Sequence, residues 1–253
     1  MSRLHSYRAE LHIHTVLSPC AEVEMIPPLI IREALDMGIN FLGITDHNAT
    51  ANTKSVIDAA KGTGISVFPG MELQTIEDVH VLCLFDTIEQ AESMQDIVDT
   101  TLPNIANRPD YFGEQFIVDE TGDFVRREER LLLTSSGLSI KAACDLVSDL
   151  KGLLIPAHIN RKAFGLLPVL GFIPDELNDH QVMEISRHIT PGEAMATYPF
   201  LINRTLIQGG DVHRLDEFLG VNHFLLERPS IEELKMAFDE IDRRSYKLIH
   251  PNL

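Results

Sequence analysis

Two histidines two residues apart, His12 and His14 in His12-Ile13-His14, open the argument. Side chains alternate faces along a β-strand, so residues i and i+2 point the same way. Two imidazoles spaced like this aim at one point, and imidazole suits Zn, Fe, Mn or Ni. Leu11 and Ile13 fit the opposite face of a buried strand. Alone, His-x-His is a common pair, and its weight comes from recurrence. Asp46-His47, Glu72, His158 and Asp211-Val212-His213 each follow or close an apolar run, and His80 lies near the start of another. His12, His14, His47, Glu72, His80, His158, Asp211 and His213 make eight candidate ligands. Catalytic metal sites commonly take three or more protein ligands and keep positions open, so this number suits two or three metals, with Glu72 placed to bridge.

The elements that must position these residues read as an alternation of strands and helices. Residues 11–14 are a first strand, followed by a loop containing Ser18-Pro19-Cys20. Pro27-Pro28 opens a helix over 29–37, as proline favours a first helical turn, and Gly38 ends it. Residues 40–45 form a strand running into Asp46-His47, and a helix then extends through 55–61 to Gly62. Residues 65–68 form a third strand ending at Pro69-Gly70-Met71-Glu72, and 79–85 a fourth. This alternation implies parallel strands with crossover helices. In parallel α/β barrels the active site sits at the carboxyl ends of the strands, where side chains distant in sequence converge.

Residues 86–130 break the alternation. They hold 12 acidic and 4 basic residues, and 116–118 and 124–125 read as a small hairpin around Thr121-Gly122-Asp123. The segment, extended to 138, reads as an insertion or lid on a single barrel domain spanning 1–253. The pattern then resumes with a helix over 139–151 capped by Gly152, and a strand at 153–156 that ends in His158. Strands at 181–186 (carrying Glu184), 205–208 and 221–227 follow, and Ser230 caps a final amphipathic helix.

Composition narrows the function classes. With 253 residues, 44% hydrophobic and 23% charged, the chain can bury a sizeable core. No apolar run approaches the ~18 residues of a membrane span, and the N-terminus lacks the apolar core of a signal peptide. Three scattered cysteines, Cys20, Cys83 and Cys144, do not make a disulfide framework, so a reducing cytoplasm is the expected compartment. The net charge of −17 argues against an extended nucleic-acid surface, because phosphate contacts need a basic face. It leaves room for a small phosphorylated substrate held by metal ions. Oligomeric state is not legible.

Taken in order, His12-x-His14, Thr45-Asp46-His47, Gly70-Met71-Glu72, His80, Pro156-Ala157-His158 and Asp211-x-His213 resemble the successive motifs of the PHP (polymerase and histidinol phosphatase) superfamily. The resemblance runs from about Leu11 to the last helix. It implies an α/β fold, a distorted (β/α)7 barrel, with a trinuclear centre of divalent Zn, Mn or Fe. It also implies hydrolysis of phosphate esters by water activated at the metals. By this likeness His12, His14, Glu72 and Asp211 would hold a first metal, and Glu72, His80 and His158 a second. His47 and His213 would hold a third, completed by a ligand from the loop after His14.

At that last ligand the chain departs from the pattern. Many relatives place Asp or His five or six residues after the second histidine, where Pro19 and Cys20 stand here. Cys20 could ligate as a thiolate or be a small buried hydrophobe, and Glu22 or Glu24 could serve instead. Arg161, three residues after His158, resembles a phosphate-contacting arginine, since guanidinium matches phosphate oxygens bidentately. Asp46 reads as a catalytic-site acid that orients a ligand histidine. Arg187, His188 and Arg214 are recommended by spacing alone, while His5, His180, His223 and His250 read as surface or core.

The leading function is therefore a metal-dependent phosphoesterase acting on a small phosphorylated metabolite, nucleotide or oligonucleotide end. One alternative is a non-catalytic metal-binding scaffold or sensor barrel. Another is an amidohydrolase-type hydrolase, which would call for a strand-end lysine that no predicted strand provides.

Overall fold

A computed structural model describes residues 3–177 and 182–250, so His180 and Gln181 lie outside the described residues. Strand β1 (His5–Ile13) is the hub. A helix α1 (Pro27–Asp36) carries the chain to β2 (Phe41–Ile44), and α2 (Thr53–Ala59) carries it to β3 (Ser66–Gln74). β1, β2 and β3 run parallel, as crossover helices require. α1 starts on Pro27 and ends where Gly38 takes φ 68, a left-handed turn that costs glycine nothing.

The next strand differs from the expectation. β4 (His80–Leu84) pairs antiparallel with β3. The sequence alternation implied parallel crossovers, but residues 75–79 are too short a link for one, which needs a dozen or more residues. The reversal explains His80. The start of an antiparallel strand lies on the same rim as the carboxyl ends of its parallel neighbours, so His80 joins the others from the opposite end of its strand.

Residues 86–138 also differ from a plain insertion. They begin with a helix, α3 (Ile88–Thr101), which a Thr87/Gln90 capping box starts. It buries Ala91, Met94 and Val98 in a core cluster shared with Met71, Val81 and Cys83. α3 is therefore part of the barrel's packed outer layer. A single-turn helix α4 (Pro109–Phe112) and the hairpin β5 (Phe116–Val118)–β6 (Phe124–Arg127) follow. A small cluster of Leu17, Ala49, Leu102, Ile117 and Leu132 fastens this segment over the loops that follow β1 and β2.

α5 (Ile140–Asp149), capped by Ser139, returns the chain to β7 (Leu153–Pro156), antiparallel to β4. α6 (Leu166–Leu170) then leads to β8 (Val182–Ser186), and α7 (Pro191–Thr197) to β9 (Thr205–Gly209). β8 and β9 are a parallel pair of their own. β10 (Asn222–Leu226), α8 (Ile231–Phe238) and β11 (Ser245–Leu248) complete the chain; the sequence reading placed neither β11 nor α7, although Thr190 and Glu193 form a capping box around Pro191. The curled seven-stranded sheet has the order β11-β10-β1-β2-β3-β4-β7.

The β8–β9 pair bridges the gap that this sheet leaves. Ile159 N donates to Glu184 O at 2.8 Å on the β7 side. On the β1 side, His14 N donates to Val212 O at 2.9 Å and Val212 N to His12 O at 3.0 Å. The ring is thus β1-β2-β3-β4-β7-β8-β9; on the edge of β1 away from β2, Val212 pairs beside His12 and His14 while β10 pairs with the stretch from His5 to Ala9, and β11 pairs with β10. Residues from all these strands, among them Leu11, Phe41, Phe68, Leu82, Ile155, Val182, Ile207 and Phe224, fill one apolar cluster, which α8 closes with Ile231, Leu234 and Phe238. Among the described residues, no helix is long and apolar enough to cross a membrane.

Candidate metal centre

The rim opposite α8 carries the polar residues. His12 and His14 leave β1 on one side, with their Nε2 atoms 3.2 Å apart. Ile13 between them packs with α1 and α2, while Leu11 enters the cluster inside the ring. The pairing of β1 with β2 is irregular between Glu10 and Ile13, which separates the two apolar neighbours.

Glu72 lies at the centre, inside β3 and fully buried. Its Oε1 is 2.8 Å from His80 Nδ1, 2.9 Å from His158 Nε2 and 3.3 Å from His12 Nε2. Its Oε2 is 2.9 Å from His47 Nδ1 and 3.4 Å from His14 Nε2. Asp211 faces it across the site, with Oδ1 3.3 Å from His12 Nε2 and 3.4 Å from His14 Nε2.

Three groups have donor atoms within 4.8 Å of one another. The first is His12, His14, Glu72 and Asp211; the second is His47, Glu72 and His80; the third is His14, His47 and His213. His158 reaches the second group through its contact with Glu72. Buried atoms here lack a hydrogen-bond partner: Glu72 Oε2, His80 Nε2, His158 Nδ1 and Asp211 Oδ1. Buried polar atoms are normally satisfied, and several orphans in one imidazole–carboxylate cluster fit bound divalent cations.

Electrostatics follow from this crowding. Burial alone would raise the carboxyl pKa of Glu72, but His80, His12 and His47 together hold it well below its usual range. Burial likewise opposes ionisation of Asp211, and His12 and His14 outweigh it. Burial disfavours the charged imidazole of His14, yet the carboxylates of Asp211 and Glu72, each 3.4 Å from its Nε2, raise it to about 9. His47 also reaches about 9 against burial, through Cys20 and Glu72. Burial wins at His80, lowered to about 4, and with the neighbouring His14 at His213, lowered to about 3. A metal ion bound here would compete with protons for the same atoms.

The remaining expected residues fall around this cluster. Cys20 is exposed, not a buried hydrophobe, and stands outside the three donor groups, near enough to His47 to raise its pKa. Glu22 and Glu24 are exposed, and Glu22 lies 3.7 Å from Arg214. Arg161 donates to Asp211 Oδ2 at 2.6 Å with its head partly in solvent. Arg187 is tied to Glu217 at 2.6 Å.

Asp46 does not face the cluster. Its Oδ1 accepts from Thr15 N and Ser18 Oγ, each at 2.7 Å, and its Oδ2 accepts from Thr15 Oγ1 at 2.7 Å. Ser18 Oγ in turn lies 2.9 Å from His14 Nδ1 and accepts from His47 N at 3.2 Å. Asp46 thus reaches His14 through Ser18 and does not contact the cluster itself. With Nδ1–H of His14 donated to Ser18, Nε2 is the nitrogen that faces the cluster and the one a metal would take on losing its proton.

Three contributors escaped the sequence reading. Glu184, fully buried on β8, lies 3.0 and 3.2 Å from His12 Nδ1. Ser18 links Asp46 to His14. Phe164 stacks on His80 with ring centroids 4.4 Å apart and planes 1° from parallel, and its carbonyl accepts from His80 N at 3.0 Å. A lone acid within the apolar stretch Val182-Met183-Glu184-Ile185 was the available signal for Glu184. Phe164 (φ 61), His158 (φ 29) and Asp211 (φ 48) all sit in left-handed backbone, sparsely populated for such residues and costing of order 1–3 kcal/mol each.

Solved structures of known proteins share this fold. The lesion-specific endonuclease PfuEndoQ from Pyrococcus furiosus superposes with a TM-score of 0.73 at 19% identity, over 96% of this chain and 58% of that one. This chain therefore spans less than two thirds of that endonuclease. A metal-dependent phosphoesterase, so described as a supposition, from Bifidobacterium adolescentis gives 0.55 at 18% identity, over 81% of this chain and 87% of that one. A two-domain protein from Bacteroides vulgatus containing a predicted PHP-like metal-dependent phosphoesterase gives 0.57 at 13%, over 98% and 66%. No curated protein matches. The PHP domain profile matches residues 10–165, more than half of the sequence, and the chain belongs to the PHP domain family.

Proposed function

We propose that this chain is a metal-dependent phosphoesterase that hydrolyses phosphate esters of a small phosphorylated metabolite, nucleotide or oligonucleotide end. The observation that carries this reading is Glu72, a buried carboxylate with His12, His14, His47, His80 and His158 all within 3.4 Å of its oxygens. We assign His12, His14, Glu72 and Asp211 to one divalent ion, and Glu72, His80 and His158 to a second. His47 and His213, with Cys20, are assigned to a third. Zn, Mn and Fe suit this imidazole-rich set. Such ions, when bound, polarise a phosphate oxygen and acidify water near neutral pH.

The protein's own groups do the rest. Arg161 offers a planar fork to phosphate oxygens and stands on the open side of Asp211. The Asp46–Ser18 pair keeps the Nδ1 proton of His14 away from the cluster, so that Nε2 stays a ligand. The left-handed turns at His158 and Asp211 aim both side chains inward from strand ends. The likeness to an endonuclease keeps nucleic-acid ends within the substrate class, while the net charge of −17 weighs against a long duplex track. We place the enzyme in the cytoplasm, since Cys20, Cys83 and Cys144 are all unpaired.

Elemental analysis tests the centre, and a panel tests the reaction: an aryl monophosphate, a bis-aryl phosphodiester, a nucleoside monophosphate and a 5′-phosphorylated oligonucleotide. Two or three bound metals with metal-dependent turnover of at least one ester is the expected result. No metal after reconstitution with Zn, Mn or Fe, and no turnover, would leave a non-catalytic scaffold as the reading.

A further inference from the structure

The seven-stranded sheet does not close by itself, and Glu184 stands in the gap that the β8–β9 pair fills. One carboxylate there touches two residues that come from the two sides of that gap. Both of its oxygens face His12 Nδ1, at 3.0 and 3.2 Å. Its Oε1 also accepts the backbone N–H of His158 at 2.9 Å. His12 belongs to β1, and His158 follows β7.

We propose that Glu184 is a positioning residue that sets His12 and His158 together, and that Gly209 is required to leave it room. The inference rests on the metal-centre reading above. A carboxylate facing Nδ1 keeps a proton on that nitrogen, which leaves the Nε2 lone pair of His12 facing Glu72 and Asp211. The same carboxylate pins the main chain of His158, whose φ of 29 is unfavourable for any side chain unless its surroundings fix it. Gly209 on β9 completes the arrangement. A Cβ there would come 2.2 Å from Glu184 Oε2 and 2.6 Å from its Cδ, so an alanine must push the carboxylate away. The contacts of Glu184 do not reach His47 or His213, which makes the effect selective.

The test uses full-length protein stripped of metal by a chelator and titrated with Zn2+ by calorimetry, comparing wild type, Glu184→Gln and Gly209→Ala. Orienting partners of this kind are commonly worth about 10–100-fold in metal affinity. Both variants are expected to lose affinity by that factor at the groups containing His12 and His158. Uptake at the His14, His47 and His213 group is expected to be unchanged, and the melting temperature of the stripped protein to stay near that of wild type. Gly209→Ala keeps the carboxylate and only displaces it, so it separates position from charge. Wild-type affinity in Glu184→Gln overturns the proposal. Equal losses at every group with a lowered melting temperature overturn it too, since they mark a role in folding alone. A wild type that takes up no Zn2+ fails the metal-centre reading itself, a separate result.

Discussion

The polar cluster has two ends that are built differently. At the inner end, Glu72, His12 and His158 are fully buried, each on a strand or at its immediate end. Glu72 and His12 lie within regular strands, and Glu184 contacts His12 Nδ1 and the backbone N–H of His158. At the outer end, the side chain of His213 is 19% exposed and Cys20 is open to solvent. Their backbone belongs to loops, residues 14–26 and 210–214, held by Asp46, Ser18 and Glu217. Strands fix the inner donors to the core, so any change there propagates into packing or leaves a buried charge. Loop donors can adjust. The inner end should therefore govern whether metal is held, and the outer end how many ions are held.

The strongest way to break that contrast is Glu72→Gln. The amide keeps the volume but removes the charge that several imidazoles share. Metal should be lost from the inner groups, and turnover should fall by roughly 10³-fold, about 4 kcal/mol of barrier. Circular dichroism should still show the folded barrel. Full metal content with an undiminished rate would falsify the bridging assignment.

A smaller effect is expected from Asp46→Asn, which sits behind the outer end. The amide oxygen can still accept from Thr15 N and Ser18 Oγ, but the NH2 group then faces Thr15 Oγ1, which already accepts from Leu17 N and Asn52 Nδ2 and must donate. A lost buried hydrogen bond to a charged group is worth about 1.5–3 kcal/mol, so the stripped protein should melt lower. Affinity should fall about 10–100-fold at the groups containing His14, with the group holding His80 changed least. An equal loss at His80 would erase the distinction between the ends.

These two acids also show what the sequence could and could not tell. His12-x-His14 was readable because strand periodicity alone puts both rings on one side. Asp46, adjacent to His47, looked like a partner for the cluster. Neighbouring residues at a strand end point opposite ways, and its carboxylate turns to the loop after β1 instead. Glu184 was invisible as a partner because its contacts arise only when β8–β9 fills the gap between β7 and β1. α3 was readable and missed: Thr87-x-x-Gln90 starts it, and Ala91, Met94 and Val98 fall at helical spacing. The antiparallel β4 was betrayed by the shortness of residues 75–79, a topological fact that strand patterns do not carry.

Acidity sharpens the contrast further. His14 and His47, raised to about 9, hold protons at neutral pH in the protein alone. Their contribution to the stability of the stripped protein is complete below the ordinary histidine value of about 6.5 and is lost as pH rises through about 9. Metal must displace those protons, so affinity should rise between pH 7 and 9, by up to about tenfold per pH unit for each proton released. His80 and His213, lowered to about 4 and about 3, are already neutral and contribute no slope in that range. Calorimetric titrations in two buffers of different ionisation enthalpy count the protons. A slope of zero from pH 7 to 9 would contradict the assignment of charge within the cluster.

The smallest effect is expected from Cys20→Ser, and it decides what the outer end is for. Cys20 acts on the cluster through His47, and it stands outside the three donor groups. A thiolate there is soft and favours Zn or Fe, whereas a hydroxyl is a poor ligand at neutral pH. The variant should therefore keep its inner metals and its fold, and lose about tenfold in affinity at the outer group alone, comparable to one displaced partner. Elemental analysis after dialysis against a weak chelator reads this as one ion fewer per chain. The same count in both proteins would make His14, His47 and His213 sufficient by themselves. Loss of an inner ion would mean that the loop holding Cys20 supports Glu72 as well, and that the two ends are one unit.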